Sequence, residues 1–596
     1  MKPILERNQV PEEQTWNLAH LFETDEKWFA EYESLKEMPA KIVAFQGKLS
    51  ESAETLLAYC KLEDELKLRL LPLYGYANCK GDEDTANGTY QDMRGKAMSV
   101  YVAIAGATSF SIPEIMAIPE DVLNGFFASC PQLETYRRPI FSIRRKAAHV
   151  LSPECEQLLA SAGEIADSPD NINGILHNAD MTYPSVTDKD GKEHPLTDVT
   201  LVAMLEDPDP EFRKQVFQTY YHRLGEFKNT VAATFDAQFK QLRFFANARK
   251  YNSTLEASLD NTEVPVSVYH NLIKSVHENL DKMYRYVELR KKALGRDELH
   301  MYDVYTPIVA DVAKTISYEE AKETVLEALG ILGEDYVELL KEGFNNRWID
   351  VYPNKGKRGG AYSSGNRPHP YVLLNHKDNL DSMFTLAHEM GHALHSYYST
   401  ATQPVCTADY VIFVAEVAST CNEILLMRHL LNKTTDKKER AYLINHFLDQ
   451  FKGTVYRQTM FAEFELEMGK MSESGQTLTA DVLCEKYHAL NKLYFGPSMV
   501  SDDEIALEWA RIPHFFYNYY VFQYATGFSA AVAIANRILK EGEPAVADYK
   551  KFLSGGGSAD PISLLKIAGV DMSGPEAVNS ALELFGELIT EMEELI

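Results

Sequence analysis

The order of apolar and polar residues along the chain predicts a protein built mainly from helices. Apolar residues recur at mixed spacings of three and four, which is the period of one helix face. This pattern covers the stretches 27–49, 53–79, 122–152, 271–295 and 318–344. Similar periodicity continues near the C-terminus. The fold class predicted from the pattern is therefore mainly α.

Two segments depart from the helical pattern and predict strands. Residues 181–197 centre on Asp190-Gly191, a pair that favours the tight turn of a β-hairpin. Residues 348–376 are rich in Gly and Pro and end in the apolar run Tyr371–Leu374, which predicts a short strand.

The length of 596 residues exceeds that of one ordinary hydrophobic core and predicts at least two lobes. Near residue 198 the predicted hairpin gives way to a long helical stretch. We place a domain boundary there, which divides the chain into an N-terminal helical domain, 1–198, and a second domain, 199–596.

Composition narrows the class of protein. A hydrophobic fraction of 45% is typical of soluble globular proteins, and no run of about 18 apolar residues predicts a membrane span. The N-terminal residues lack the apolar core of an export signal. Seven scattered cysteines, odd in number and without a CxxC pair, favour free thiols in a reducing compartment. We therefore expect a cytoplasmic protein.

The formal net charge of −28 bears on possible partners. A surface this acidic repels nucleic acid and anionic membranes, so neither is expected as a partner. The simplest interpretation of the charge is solubility, and steering of cationic substrates is the weaker alternative.

The segment TLAHEMGHALH places three histidines and one glutamate among apolar residues. A helix is predicted over 380–398, with Asp378 as its candidate cap. In a helix, His388 and His392 lie one turn apart on one face and can converge on one ion at about 2.0–2.1 Å. Glu389, next in sequence to His388, can reach a water molecule without binding the ion. The spacing predicts a metal site with a catalytic base.

Two alternatives accompany this interpretation. One is a buried helix whose histidines are simply satisfied by hydrogen bonds. The other concerns His395, which lies about 10.5 Å along a helix from His388. One ion can bind both only if the helix breaks after Gly391. His395 is therefore interpreted either as a residue that supports the ligands or as a core histidine.

A downstream apolar segment, 409–431, supplies a candidate third ligand. Its interior acids Glu416 and Glu423 are seven residues apart and share a helix face. A carboxylate among apolar residues is unfavourable unless it is paired or bound to metal. Glu416 would complete a His₂Glu site with a fourth position for water. Glu423 and Asp381 are candidates to hold the far imidazole nitrogens, although Asp381 also suits the helix dipole.

Several motifs together resemble the thimet-oligopeptidase (M3) family of zinc peptidases, and most closely its oligoendopeptidase F branch. They span nearly the whole chain and are HEMGHALHSYYS, FVAEVASTCNE, TWNLAHLF, NKGKRGGAYSSG, HPYVLLNH, YATGFSAA and SGGGSADPISLLKIAGVDM. The resemblance implies a two-lobed helical zinc-peptidase fold with a small β-sheet near the active site. It also implies a deep substrate channel, covered here by domain 1–198. One Zn²⁺ per chain is implied, held by His388, His392 and Glu416, with Glu389 as the base.

The segment 511–527, RIPHFFYNYYVFQYATG, supplies further candidates. If this segment is helical, His514, Tyr517 and Tyr524 lie along one face, with Tyr520 close to the same face. An aromatic core stripe is the alternative. The family uses a His and Tyr pair at the transition state, and the resemblance puts the histidine on His514. Tyr517 and Tyr524 are both candidates for the tyrosine.

The glycine-rich stretch 356–365 and the strand after it predict contacts with substrate. The stretch lacks the GK[ST] ending of a phosphate-binding loop, so we favour a mobile loop that includes Gly359 and Gly360. The strand that carries Tyr371 and Leu373 is predicted to be an edge strand, which offers main-chain pairing to an extended peptide. Main-chain pairing does not depend on the side chains of the peptide, so it would allow peptides of many sequences to bind.

The function that the resemblance implies is hydrolysis of internal bonds in short unstructured peptides by a zinc endopeptidase, with oligopeptides as partners. A carboxypeptidase or dipeptidyl carboxypeptidase on a related helical fold is one alternative. Such an enzyme needs an anchor for a terminal carboxylate, and none stands out in the sequence. An alternative of another class is a metal-free peptide-binding protein. No oligomeric state is predicted.

Overall fold

The computed structural model describes residues 4–309 and 314–596, and most of them are helical, which confirms the mainly α fold class. In the first half of the chain, the α-helices are α1 (Asp25–Leu35), α2 (Met38–Val43), α3 (Ala53–Glu83), α4 (Gly88–Thr108), α5 (Ser111–Ala117), α6 (Glu120–Ser129), α7 (Arg137–Arg145), α8 (Pro153–Ala166), α9 (Ser168–Ile175), α10 (Leu201–Leu205), α11 (Pro210–Gly225), α12 (Lys228–Ala248), α13 (Thr254–Asp260), α14 (Val266–His277) and α15 (Leu280–Ala293). The remaining α-helices are α16 (Tyr318–Ala328), α17 (Glu334–Asn345), α18 (Leu380–Thr402), α19 (Ile412–Lys433), α20 (Lys437–Gln450), α21 (Arg457–Glu473), α22 (Ala480–Phe495), α23 (Phe522–Glu541), α24 (Glu543–Leu553), α25 (Pro561–Ile567) and α26 (Glu576–Leu595).

The long helices predicted from periodicity are helical, but several are divided. The stretch 53–79 lies within the single helix α3, whereas 271–295 covers the end of α14 and all of α15. The stretch 318–344 is interrupted before α17 by Gly333, which has a φ of +97°. Apolar periodicity continues across such breaks because the intervening residues form a short turn or a 3₁₀ segment before the next helix begins. Periodicity therefore predicted the helices better than their ends.

The strands of the described residues are short and form three small sheets. They are β1 (Val186–Thr187), β2 (Glu193–His194), β3 (Leu299–His300), β4 (Ile349–Asp350), β5 (Tyr362–Ser364), β6 (Tyr371–Leu373) and β7 (Met499–Val500). Strands β1 and β2 pair antiparallel around Gly191, whose φ is +81°, and this confirms the predicted hairpin. Strands β3 and β7 pair in parallel. The third sheet has the order β4-β6-β5, so β6 is its central strand.

The chain forms two compact units, and each is assembled from three separate segments. Unit 1 consists of Met1–Ala147, Lys314–Leu426 and Ile534–Gly569, and unit 2 consists of Ala148–Ala313, Met427–Ala533 and Val570–Ile596. The boundary predicted near residue 198 falls inside a segment of unit 2. A functional division at that point, with the N-terminal domain covering a channel, stays a prediction.

The core of unit 1 connects the third sheet to the N-terminal helices. Tyr371 and Leu373 of β6 belong to the same apolar cluster as the buried residues of α3 and α4. Asp350 of β4 is fully buried and pairs with Arg7 at 2.5 Å and with Lys357 at 2.6 Å. Because a buried carboxylate needs such partners, this ion cluster attaches the N-terminal segment to the sheet.

The stretch Gly88–Ala117 has the length and hydropathy of a membrane span, with a mean hydropathy of 1.4. It meets this description by length and composition only, and its Met93, Val100 and Ile104 pack in the core of unit 1. The sequence contains no unbroken run of apolar residues here. Scattered Gly, Ser and Thr interrupt the run without lowering its mean hydropathy far.

Candidate metal centre and active site

Helix α18 carries the two histidines predicted to bind metal. The helix begins after Asn379, whose side chain accepts a hydrogen bond from the main-chain nitrogen of Ser382 at 2.9 Å. Asn379 is therefore the cap, and the prediction of Asp378 is wrong. Asp378 lies one residue earlier with a φ of +53°. The helix then runs without a break to Thr402.

Three potential ligand atoms converge where α18 meets α19. Nε2 of His388 lies 3.2 Å from Nε2 of His392, and Oε2 of Glu416 lies 3.4 and 3.5 Å from these nitrogens. A tetrahedral ion with bonds of about 2.0–2.1 Å separates its ligand atoms by about 3.3 Å. The observed triangle matches that separation on all three sides, so this donor set fits zinc. Within the residues that the structure describes, no other group of three His, Cys, Asp or Glu converges in this way.

Gly391 permits the close approach of the two helices. A Cβ built on Gly391 would lie 2.5 Å from Cα of Ser419 and 2.8 Å from the carbonyl oxygen of Ala418. Both are main-chain atoms of α19, so no side-chain rotation relieves the clash. From the sequence alone, Gly391 indicates only a possible break in the helix. The structure shows instead that it allows the helix spacing at which Glu416 reaches the histidines.

Glu389 and Glu416 experience opposite electrostatic environments. Glu389 is 6% exposed, and its Oε2 has no hydrogen-bond partner. Burial raises the pKa of Glu389 above its ordinary value, although the nearby histidines oppose the shift. Burial also acts to raise the pKa of Glu416, but its hydrogen bonds with His388 and His392 outweigh burial and hold that pKa well below its usual range. One acid pairs with the histidines, while the other keeps a free oxygen.

Two neighbouring residues of α19 support α18. Oε1 of Glu423 contacts Nδ1 of His388, which is the position expected of a residue that orients the ring. Asn422 is fully buried, donates to the carbonyl oxygen of Ala387 at 3.1 Å, and accepts from the hydroxyl of Tyr336 at 3.0 Å. This bridge holds α18 beside its first histidine. Sequence reasoning missed Asn422, because an amide in an apolar helix carries no specific signal.

His395 is a core residue. It is 1% exposed, and its ring stacks on Tyr410 with centroids 3.8 Å apart. Burial lowers the pKa of His395 to about 3, and His392 contributes to this shift. Since α18 does not break after Gly391, a site with three histidines on one ion is excluded.

Asp381 occupies the exposed first turn of α18. In the described part of the chain, no hydrogen bond joins its carboxylate to His388 or His392. The alternative interpretation therefore fits better: Asp381 is an acid that interacts favourably with the positive end of the helix dipole.

The sheet that packs against α18 corrects the predicted peptide-binding edge. Strand β6 pairs with β4 on one side and with β5 on the other, so Tyr371 and Leu373 have no free main-chain edge. Both residues are also fully buried. The prediction of an edge strand here is wrong, because a continuous apolar run is typical of a central strand covered on both faces. The edges of the sheet are β4 and β5.

Gly359 and Gly360 lie in an exposed loop directly before β5. Nδ2 of Asn375 donates to the carbonyl oxygens of Arg358 at 3.0 Å and of Gly360 at 2.8 Å. A Cβ built on either glycine would meet nothing within 4 Å. The loop is thus tethered near the sheet, and its mobility and its contact with substrate stay predictions.

The aromatic segment 511–527 does not form a single helix. A short 3₁₀ turn covers Pro513–Phe516, and α23 begins only at Phe522. Between them, Asn518 and Tyr519 have φ values of +57° and +59°. Two consecutive residues in the left-handed region bend the chain, which uninterrupted helical periodicity does not predict.

This bend nevertheless gathers the predicted side chains in unit 2. The ring centroid of His514 lies 5.5 Å from that of Tyr517 and 6.0 Å from that of Tyr524. The Tyr520 ring lies 6.3 Å from Tyr517 and 5.4 Å from Tyr524. Tyr517 is 48% exposed. The four rings form one cluster, and their role toward a reacting peptide stays a prediction.

Side chains from distant helices hold the bend. Glu465 of α21 is 1% exposed and accepts a hydrogen bond from the main-chain nitrogen of Tyr519 at 2.9 Å. Burial raises the pKa of Glu465 well above its ordinary value, which favours the protonated acid. Gln238 of α12 donates to the carbonyl oxygen of Phe516 at 3.1 Å and to the side chain of Asn518 at 2.8 Å. These anchors are remote in sequence, and sequence reasoning found neither.

Two protein-family models match the chain. The model described as Peptidase family M3 matches residues 203–584, and the model described as Oligopeptidase F matches residues 114–183. The larger match includes α18, α19 and the aromatic bend.

Individual relatives match almost end to end. The chain is 47% identical to Oligopeptidase PepF of Bacillus subtilis over 99% of this chain and 88% of that protein. It is 40% identical to Group B oligopeptidase PepB of Streptococcus agalactiae over 99% of this chain and 98% of that protein. Among solved structures, oligoendopeptidase-F from Enterococcus faecium superposes with a TM-score of 0.75 at 38% identity, covering 96% of this chain and 99% of that one. A Chlamydophila abortus chain described as a peptidase gives a TM-score of 0.93 at 32% identity, with 100% of both chains covered.

Proposed function

From the premise that this chain belongs to peptidase family M3 and is a metallopeptidase, we propose that it is a zinc-dependent endopeptidase that hydrolyses internal bonds of short unstructured peptides. Relatives named as oligopeptidases and as oligoendopeptidase F support this substrate class and this mode of cleavage. The observation that carries the proposal is the triangle of His388, His392 and Glu416, whose three sides match the ligand spacing of zinc. One such triangle in the described chain corresponds to one ion per chain.

The proposed reaction is the attack of water on a peptide carbonyl. Bound by His388, His392 and Glu416, zinc would supply Lewis acidity toward the water and the carbonyl. Glu389 takes a proton from the water and passes it to the leaving amine. Its buried oxygen without a hydrogen-bond partner and its raised pKa suit both transfers. Glu423 holds Nδ1 of His388, which directs the opposite nitrogen of that ring toward Glu416.

Peptide binding is proposed to use the sheet and the aromatic bend. An extended peptide would pair with the main chain of β5, since β5 is an edge strand and follows the loop of Gly359 and Gly360. His514, together with Tyr517 or Tyr524, would donate hydrogen bonds to the carbonyl oxygen as negative charge develops there. The exposure of Tyr517 and the clustering of these rings support that role.

The proposal includes a cytoplasmic location and a substrate channel covered by residues 1–198. All seven cysteines are free thiols, which agrees with a reducing compartment. A covered channel would admit a flexible peptide but exclude a folded domain, because unfolding a domain costs about 5–15 kcal/mol.

The test of the proposed function uses one peptide blocked by an acetyl group at its N-terminus and an amide at its C-terminus. We expect two internal fragments, loss of cleavage after chelation, and recovery on addition of zinc to about one ion per chain. If the blocked peptide stays intact while its free-acid form is shortened from the C-terminus, the carboxypeptidase alternative is correct.

A further inference from the structure

Unit 2 contains a largely buried cluster with more positive than negative charge. Oε1 of Glu508 accepts hydrogen bonds from Nη2 of Arg457 at 2.5 Å and from Nη2 of Arg511 at 2.7 Å. Oε2 of Glu508 accepts from the hydroxyl of Tyr487 at 2.5 Å. Among the described residues, no other carboxylate is ion-paired with either guanidinium. Two positive groups therefore share one negative group.

The two guanidiniums keep unused hydrogen-bond donors. Arg457 makes one hydrogen bond to the described residues, and Arg511 makes two, the second to the hydroxyl of Tyr221 at 3.3 Å. Each guanidinium carries five N–H donors. The side chains of Arg457 and Arg511 remain 20% and 13% exposed, whereas that of Glu508 is 5% exposed. The spare donors thus belong to the part of the cluster that solvent reaches.

A positive excess of this kind is unfavourable unless an anion neutralises it, because burial removes the solvation of the charge. The planar guanidinium matches a carboxylate in geometry and binds it through two parallel hydrogen bonds. Arg457 is also held in place on its apolar side, since its Cζ lies 4.4 Å from the centroid of the Phe461 ring. One further carboxylate would therefore neutralise the charge of the cluster, and the guanidinium of Arg457 is already held in place to bind it.

The cluster lies close to the aromatic bend. Arg511 precedes His514 by three residues and ends the 3₁₀ segment Asp503–Arg511. Burial lowers the pKa of His514, and the positive charge of Arg457 lowers it further. Arg457 is therefore within electrostatic reach of that imidazole. A peptide that meets His514 can place a nearby carboxylate against the two arginines.

We infer that Arg457 and Arg511 form a subsite for a carboxylate of the bound peptide, either its C-terminal carboxylate or an acidic side chain. This inference rests on the proposed peptidase function. The subsite would favour peptides that carry a carboxylate at a suitable distance from the cleaved bond. It would add affinity without being required for cleavage, so an endopeptidase can use it.

The test compares KM for four peptides that share one internal cleavage site. Two differ only in ending as a free acid or an amide, and two amidated peptides carry Glu or Gln as the last residue. We expect the recognised carboxylate to lower KM at least about tenfold, the ratio that one charge-assisted hydrogen bond provides. The first pair reports on the chain terminus, and the second pair reports on an acidic side chain.

Variants connect the preference to the arginines. Arg457→Met removes one guanidinium but leaves Arg511 and Glu508 as a balanced pair. The ratio of KM for the peptide without the recognised carboxylate to KM for the peptide with it should therefore fall to about one. Arg457→Lys keeps the charge but loses the planar fork and should keep an intermediate ratio. The matched control is Arg285→Met, which removes a guanidinium that is 42% exposed and paired with Glu593, and which should keep the parental ratio.

Equal KM values for all four peptides in the parent would overturn the subsite, as would a preference that survives Arg457→Met. The first comparison needs no variant, so a folding defect in Arg457→Met does not remove the test. If the parent cuts none of the four peptides, the proposed function itself fails. If it acts only on the free acid and shortens it from the C-terminus, the carboxylate is bound but the enzyme is a carboxypeptidase.

Discussion

The candidate metal centre of unit 1 and the aromatic bend of unit 2 bring candidate residues together by different means. His388 and His392 meet because the period of α18 places residues four apart on one face. His514 and Tyr524 meet although no helix joins them, because the chain bends at Asn518 and its neighbour in the left-handed region. Local backbone geometry pairs the two histidines, whereas contacts from distant helices hold the aromatic bend.

The comparison teaches where each region is sensitive to mutation. In the metal centre, the helices themselves are stable elements, so the sensitive points are the ligands and the contact between α18 and α19. In the bend, the sensitive points are the residues that hold an otherwise unfavourable backbone. Changes in the first region should alter zinc binding, and changes in the second should alter catalysis while zinc stays bound.

The largest effect is expected at Glu389. Glu389→Gln should lower kcat by about 10²–10⁴, because the side chain no longer accepts a proton, and zinc content should not change. Metal analysis and steady-state kinetics measure both quantities. Asp381→Asn is the matched control in the same helix and should behave like the parent. Parental turnover by a zinc-loaded Gln variant would show that another residue is the base.

The next effect separates a ligand from a residue that orients a ligand. Glu423→Ala should weaken zinc binding by about 10–100-fold, because His388 loses the partner of its Nδ1. Glu416→Ala should weaken zinc binding more than that, because it removes one side of the donor triangle. Competition with a chelator gives both affinities. The reverse order would make Glu423 the third ligand.

A smaller effect is expected at the contact between α18 and α19. Gly391→Ala places a methyl group against main-chain atoms of α19 and should destabilise unit 1 by about 1–3 kcal/mol, with weaker zinc binding. The control Gly163→Ala adds a methyl group in α8 with nothing within 4 Å and should be neutral or slightly stabilising. Thermal unfolding with and without zinc measures both variants. Equal unfolding temperatures and equal zinc binding for the two variants would mean that α18 and α19 can move apart to accept the methyl group without loss of stability.

The smallest effect is expected at the anchor of the bend. Glu465→Ala leaves the buried main-chain nitrogen of Tyr519 unpaired, at a cost of about 1–3 kcal/mol, and should lower kcat without loss of zinc. Glu465→Gln retains an acceptor of the same shape and should stay near the parent. The contrast between the two regions breaks down if the Ala variant loses zinc or keeps its full kcat.

The sequence by itself determined the mainly α class, the hairpin at Gly191 and the shared helix face of His388 and His392, and it indicated Glu416 as a carboxylate that needs a partner. These features depend on short-range rules: the helical period, the conformational preference of a turn dipeptide, and the cost of an isolated carboxylate in an apolar helix. The motifs that carry the family resemblance include the same histidines and Glu416. Each rule acts within a few turns of chain, so one sequence is enough to apply it.

Tertiary structure alone decided which strand of the sheet is central, where the aromatic segment bends and what holds it there. It also decided that Gly391 is a helix contact, that Asn422 bridges two helices and that two arginines share Glu508. The physical reason is common to all of these features. Each depends on atoms that are far apart in sequence and come into contact only when the helices pack. Residue type and spacing do not indicate which distant atoms will be in contact.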